Sequence, residues 1–129
     1  MKNVRTLVQL LRVKQWTKNA VVFAAFVFAF GDQQQNLAAW ELWKVCLAAL
    51  AFSLVSSAVY IFNDLRDAPQ DRLHPIKCRR PIAAGEAGAG LAWGAALVLL
   101  AATWLCVVGL AAGLEKEINN YFLFKMAKI

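Results

Sequence analysis

Residues 56–85 read SSAVYIFNDLRDAPQDRLHPIKCRRPIAAG. An uncharged run ends at Asn63, and three carboxylates follow at once: Asp64, Asp67 and Asp71, spaced i, i+3 and i+7, with Asn63 four positions before Asp67. On a helix this spacing gathers them on one face. Stacked like charges repel, so the pattern is a poor structural choice unless cations neutralise it. Magnesium takes a few carboxylates and completes its shell with water and phosphate oxygens, which makes Asp64, Asp67 and Asp71 candidate magnesium ligands and catalytic residues. Carboxylates so close to an apolar run are functional candidates by default. The same stretch supplies Arg66, Arg72, Lys77, Arg79 and Arg80. Metal-type ligands and cationic side chains together are what a departing diphosphate requires. The plainer alternative is a solvated loop whose acids pair with their basic neighbours, at little energetic consequence. Pro75 and Pro81 stiffen the segment, and Gly85 frees the chain after it. Pro69 interrupts the hydrogen bond from residue 69 to residue 65 in a continuous helix, which loosens the alignment of Asp71 relative to Asp64 and Asp67.

Outward from this stretch, three runs lack charge: residues 19–31, 45–63 and 87–114. A helix needs about 20 apolar residues to cross a bilayer, so the second and third runs suffice alone. The first suffices when Val13–Lys18 extends it, with Trp16 at the interface and Lys14 and Lys18 reaching toward headgroups; a re-entrant segment is the alternative. With 129 residues, 60% hydrophobic, and a mean hydropathy of +0.51, the expectation is one all-α integral membrane domain of three transmembrane helices. The net charge of +6 does not indicate a nucleic-acid partner, because the basic residues flank uncharged runs instead of forming a continuous face. Cys46 and Cys106 sit in apolar runs and Cys78 in a basic loop, with no paired spacing for zinc or disulfides. Val4, Leu7, Leu10 and Leu11 recur at helical spacing beside Lys2, Arg5 and Arg12, a pattern suited to an interfacial helix on an anionic leaflet. Glycines 88, 90, 94, 109 and 113 mark the third run as a face that packs closely against other helices.

The stretch NDLRDAPQDR at Asn63–Arg72, followed by HPIKCRRPIAAG at His74–Gly85, resembles the first Asp-rich motif of the UbiA prenyltransferase superfamily, written NDxxDxxxD. Together with LRVKQWTKN at Leu11–Asn19, the continuation is most similar to the branch that transfers phosphoribosyl groups to polyprenyl phosphates. The resemblance covers roughly Leu11 to Trp104. It implies an all-helical enzyme of the bacterial plasma membrane, with about nine spans and two Asp-rich motifs that hold magnesium and a diphosphate over a lateral cavity for an isoprenoid. Carried over, Asn63, Asp64, Asp67 and Asp71 match the metal and diphosphate ligands. Arg72, Lys77 and Arg80 match phosphate-holding positions, joined by Lys14 and Lys18 from the first span. The implied substrates are a polyprenyl phosphate with 5-phosphoribosyl diphosphate; in the aromatic-prenylating branch of quinone or haem type, a prenyl diphosphate takes their place. A small non-catalytic membrane protein with an anion-binding loop is the reading from outside enzymology. Residues 1–114 carry the family-like domain, whereas EKEINNYFLFKMAKI at 115–129 is a polar tail unlike the family's continuation. The second Asp-rich motif and about six spans are not in the sequence, so a truncated product, a frameshift or a fragment is expected, inactive by itself.

Lys and Arg are poorly translocated, and this sets an orientation. Lys2, Arg5, Arg12, Lys14 and Lys18 precede the first run, and Arg66, Arg72, Lys77, Arg79 and Arg80 lie in the loop from Asp64 to Glu86, while residues 31–44 offer only Lys44. The N-terminus and the Asp-rich loop are therefore expected in the cytoplasm. Labelling of intact cells checks this: Cys78 stays unmodified by an impermeant thiol reagent, and ready modification from outside would reverse the topology.

Overall fold

The computed structural model describes residues 2–31 and 42–128. Four α-helices carry the fold: α1 (Lys2–Leu10), α2 (Val21–Gly31), α3 (Leu42–Asp71) and α4 (Ala89–Ala127). A 3-10 helix, Val13–Ala20, joins α1 to α2, and a 3-10 turn at Lys77–Arg79 lies between α3 and α4. Among the described residues there is no strand. Among the described residues two helices, α3 and α4, are long and apolar enough to cross a membrane. The expected first span is built differently. Its α-helical part, α2, has 11 residues, and the sequence just before it winds as the 8-residue 3-10 helix. Residues 32–41, most of the loop between the two basic segments, lie outside the described residues.

At about 1.5 Å per residue, α3 extends roughly 45 Å and α4 roughly 58 Å, against an apolar bilayer core of about 30 Å. Both therefore continue past the hydrocarbon. For α3 the surplus is the Asp-rich end; for α4 it is the run that begins near Glu115, which the helix carries without a break as far as Ala127. The two pack antiparallel: Phe62 meets Trp93 edge to face with ring centroids 6.0 Å apart, Leu47 lies against Gly109, and Lys44 pairs with Glu117. Sequence explains the closeness. Ala58, Ala92 and Ala96 are buried between them, flanked by Ile61 and Leu99, and small side chains let backbones approach where no hydrophobic effect drives helices together. At Gly113 a Cβ would stand 2.8 Å from the Trp43 ring, so glycine leaves room for that indole.

The 3-10 helix lies along α3 for a reason legible in its period. Three residues per turn align Val13, Trp16 and Asn19. The Trp16 indole N–H donates to Ser57 Oγ at 3.0 Å, and the Asn19 amide donates to Ser53 Oγ at 2.7 Å. The serine hydroxyls pass their own protons on, Ser57 to the Leu11 carbonyl at 2.7 Å and Ser53 to the Ala49 carbonyl at 2.8 Å. Two serines four residues apart on α3 thus serve as a polar rail in an apolar helix, and both hydroxyls are satisfied. Leu10, at the end of α1, is fully buried in the same cluster as Ile61, Ala68 and Ile82.

Enlarging a buried alanine of the α3–α4 contact checks this packing. Ala92→Leu should destabilise the helix pair by about 1–3 kcal/mol through overpacking, read as a fall in thermal midpoint in detergent. Leu97→Ala, on an exposed face, should leave the midpoint nearly unchanged.

Candidate active site

Where α3 leaves its apolar stretch, its buried face runs through Ser57, Ile61, Asp64, Ala68 and Asp71. These positions step by 3 and 4, so Asp64 and Asp71 continue the stripe that packs inward. Asp67 falls roughly 60° to one side at 100° per residue. The structure follows this geometry: Asp64 and Asp71 are 4% and 2% exposed, whereas the Asp67 side chain is 39% exposed and pairs with its neighbour Arg66 at 3.1 Å. Pro69 does not break the alignment. It lies inside α3, which continues to Asp71, and the solvent-facing side of the last turn accommodates its ring. The expectation is thereby inverted, since Asp71 is the carboxylate that shares a face with Asp64, and Asp67 is the one at the margin.

Two arginines reach the buried pair from different parts of the chain. Arg80 Nη1 donates to Asp64 Oδ1 at 3.1 Å and to Asp71 Oδ2 at 2.7 Å. Arg12 Nη2 donates to the same Asp64 Oδ1 at 2.7 Å, and its guanidinium lies over the Tyr60 ring, 4.7 Å from the centroid. Two buried carboxylates are thus balanced by two guanidiniums, which is the condition under which such charges persist in a low dielectric. The backbone is shaped to deliver both. Arg12 adopts the left-handed conformation, φ 49 and ψ 43, and is the non-glycine residue with positive φ among those described. A strain of about 1–3 kcal/mol at such a position persists because its surroundings fix it. Here they turn the chain between α1 and the 3-10 helix so that the guanidinium falls on Asp64. On the other side, His74 Nδ1 accepts from the Ile76 and Lys77 N–H groups at 3.1 and 3.2 Å, and Ala84 N–H donates to the Arg80 carbonyl at 2.8 Å. Gly85, at φ 76, closes that turn, and Ile82 and Ala87 anchor it in the core.

A cavity of about 320 Å³ opens over this cluster, lined by Arg12, Lys14, Gln15, Asp64 and Arg80 among others. Of the residues expected to form the site, Asp64, Asp71, Arg80 and Lys14 are brought together here. Asn63 is half-buried beside them and Asp67 is at the edge. Arg72 and Lys77 are exposed and their side chains engage no carboxylate among the described residues. Lys18 lines a separate cavity. Arg12 is the member of the cluster that sequence reasoning misses, since the pattern shows it only as one basic residue of an interfacial helix. No group of three or more His, Cys, Asp or Glu side chains converges as a metal site among the described residues.

Comparison with known proteins places the chain in a family. The model of the UbiA prenyltransferase family matches residues 19–115. The chain belongs to the UbiA prenyltransferase family. It is 43% identical over 112 residues to a decaprenyl-phosphate phosphoribosyltransferase of Mycobacterium tuberculosis, covering 84% of this chain and 37% of that protein. Proteins of the same name from Corynebacterium glutamicum and Mycolicibacterium smegmatis are 42% and 36% identical, over 74% and 96% of this chain. The chain spans 28% and 39% of their respective lengths. No solved structure matches. The family and the two apolar helices make this UbiA chain an integral membrane protein of transferase lineage.

The ion-pair cluster makes a direct prediction. Arg80→Gln leaves Asp71 without its counter-charge and Asp64 with one of two, and removal of one partner of a buried pair costs about 3–5 kcal/mol. Unfolding in detergent should show that loss, and adding Asp71→Asn to Arg80→Gln should restore part of it.

Proposed function

We propose that these residues form the first diphosphate-handling motif of a membrane transferase, one that moves a phosphoribosyl group from 5-phosphoribosyl diphosphate onto a polyprenyl phosphate. The carrying observation is the Asp64–Arg80–Asp71 cluster with Arg12 under an open cavity that Lys14 and Gln15 also line. The 43% identity to a protein named for that transfer supports the choice of substrates. The loop and the N-terminus face the cytoplasm in this reading, and Val13–Gly31 crosses the membrane as a third span.

Magnesium fits the donor set. Asp64 Oδ2 and Asp71 Oδ1 accept no hydrogen bond among the described residues, although both side chains are more than nine-tenths buried. Free carboxylate oxygens are the hard donors this ion takes, with water and phosphate completing the shell. Asp64 and Asp71 would hold it, with Asp67 at the rim, and when bound it supplies neutralisation of the diphosphate's charge. The chain's own part is electrostatic. In the reaction a phosphate oxygen of the acceptor attacks the anomeric carbon, and the bond from that carbon to the diphosphate breaks with its electron pair leaving on the diphosphate. Arg12, Arg80 and Lys14 line the cavity and donate hydrogen bonds toward that growing charge. Arg12 and Arg80, already fixed by ion pairs, need little reorganisation at the moment of bond breaking.

Two measurements test this. In a full-length family member carrying this loop, Asp64→Asn and Asp71→Asn should each lower turnover about a hundredfold or more, and Asp67→Asn less; near-normal turnover in the Asp64 and Asp71 variants would leave the buried cluster a structural ion-pair network only. The 129-residue chain in detergent, given magnesium, 5-phosphoribosyl diphosphate and a polyprenyl phosphate, should bind diphosphate weakly and form no sustained product, since one set of carboxylates leaves the ion mostly hydrated. Sustained turnover by these residues alone would contradict the need for a second motif.

A further inference from the structure

Beneath the Asp64 cluster, between the 3-10 helix and α3, lies a second cavity of about 150 Å³, lined by Gln15, Lys18, Ser56 and Tyr60 with the aromatic walls Trp16 and Phe52. Its depth can be read on both walls. Lys18 follows Arg12 by six residues of 3-10 helix, about 12 Å at 2 Å per residue. Ser56 precedes Asp64 by eight residues of α-helix, again about 12 Å. The two face each other at one level, well inside the apolar part of α3.

The polar groups here are spare. Ser53 and Ser57 are committed to Asn19, Trp16 and backbone carbonyls, whereas the Lys18 ammonium, the Ser56 and Tyr60 hydroxyls and the Gln15 amide make no hydrogen bond or ion pair among the described residues. Lys18 is exposed at the rim of this opening, and in the span proposed above its charge would lie below the headgroups, where an ionisable side chain marks a functional position by default. One cation, two hydroxyls and an amide around an opening suit a compact oxyanion. The walls specify what carries it. Trp16 and Asn19 also border a third cavity, of about 280 Å³, whose other walls include Ala20, Phe23, Ala49 and Leu50. Gln15, in turn, lines both the second cavity and the one over Asp64. The groove therefore passes from charged, through mixed, to apolar along one face of α3.

We propose that Lys18, Ser56 and Tyr60 form a subsite for the phosphate monoester of an isoprenoid lipid, distinct from the Asp64 cluster, with the lipid's tail leaving past Trp16 toward Phe23. The choice of an isoprenoid over another lipid rests on the transferase reading above. Lys18 then belongs to the acceptor and not to the diphosphate, and Gln15 stands at the junction where the two meet.

Saturable binding of a radiolabelled polyprenyl phosphate to the detergent-solubilised chain tests this. Lys18→Gln should weaken binding about tenfold or more, and Ser56→Ala several-fold, while Lys18→Arg retains it. Helical content by circular dichroism confirms that each variant is folded, and Ser56→Ala is small enough to preserve the helix in any case. Magnesium-dependent diphosphate binding, measured on the same samples, should not change in the Lys18 and Ser56 variants. Polyprenyl phosphate affinity within about twofold of the parent in both Lys18→Gln and Ser56→Ala would overturn the subsite, even where diphosphate binding survives. Absence of even weak magnesium-dependent diphosphate binding by the parent chain, with Lys18-dependent lipid binding intact, would instead overturn the transferase reading and leave the subsite standing. Two competitors identify the source of the phosphate. Phosphatidic acid competing as well as the polyprenyl phosphate would overturn the isoprenoid assignment in favour of a bilayer lipid, and displacement by millimolar inorganic phosphate would overturn the need for a tail.

Discussion

A single carboxylate oxygen, Asp64 Oδ1, receives guanidiniums from two distant parts of the chain, Arg12 at 2.7 Å and Arg80 at 3.1 Å. An aspartate 4% exposed at the end of a membrane helix is tolerable only when paired, so this contact constrains where both the N-terminal segment and the loop after α3 lie. Much of the local structure is consistent with that constraint. The left-handed turn at Arg12, the His74 and Gly85 turns before and after Arg80, and the burial of Leu10 and Ile82 all serve to bring the two arginines to one place. Asp71, linked through Arg80, extends the network by two turns of α3.

Below the cluster the cohesion changes character. Lipid tails offer no hydrophobic advantage to helix association, and the chain relies on close approach and hydrogen bonds. Alanines 58, 92 and 96 supply the first between α3 and α4, and the Ser53 and Ser57 hydroxyls supply the second between α3 and the 3-10 helix. One helix, α3, therefore presents small residues to α4, polar ones to the N-terminal segment, and charges at its end. The groove proposed for a lipid phosphate lies on the side where α3 is polar.

How much of this is legible in the amino-acid sequence depends on the range of the interaction. The Asp-rich stretch, its basic companions and the two longer spans are local patterns, and they stand where the sequence places them. Arg80 enters through the family resemblance, whereas spacing gathers the three aspartates on one face without singling out Asp64 as the inward carboxylate. Arg12 is not legible, because its partner lies 52 residues away and nothing nearby in sequence marks it out. Asp67 and Asp71 exchange roles because i+3 and i+7 are not equivalent once the buried stripe of α3 is centred between Ile61 and Asp64, and Pro69 stands in the helix because its position is on the exposed side. The split of the first run into 3-10 and α-helix reflects the serine rail, a tertiary constraint that hydropathy does not encode.

Hydrogen exchange on the chain in detergent reads the hub role of Asp64 most directly. With Asp64→Ala, amides of residues 2–20 and 77–87 should exchange markedly faster than in the parent, because two guanidiniums lose their shared acceptor, whereas Asp67→Ala should leave both segments as they were. Equal protection of those segments in the two variants would contradict the view that the buried carboxylate organises the site.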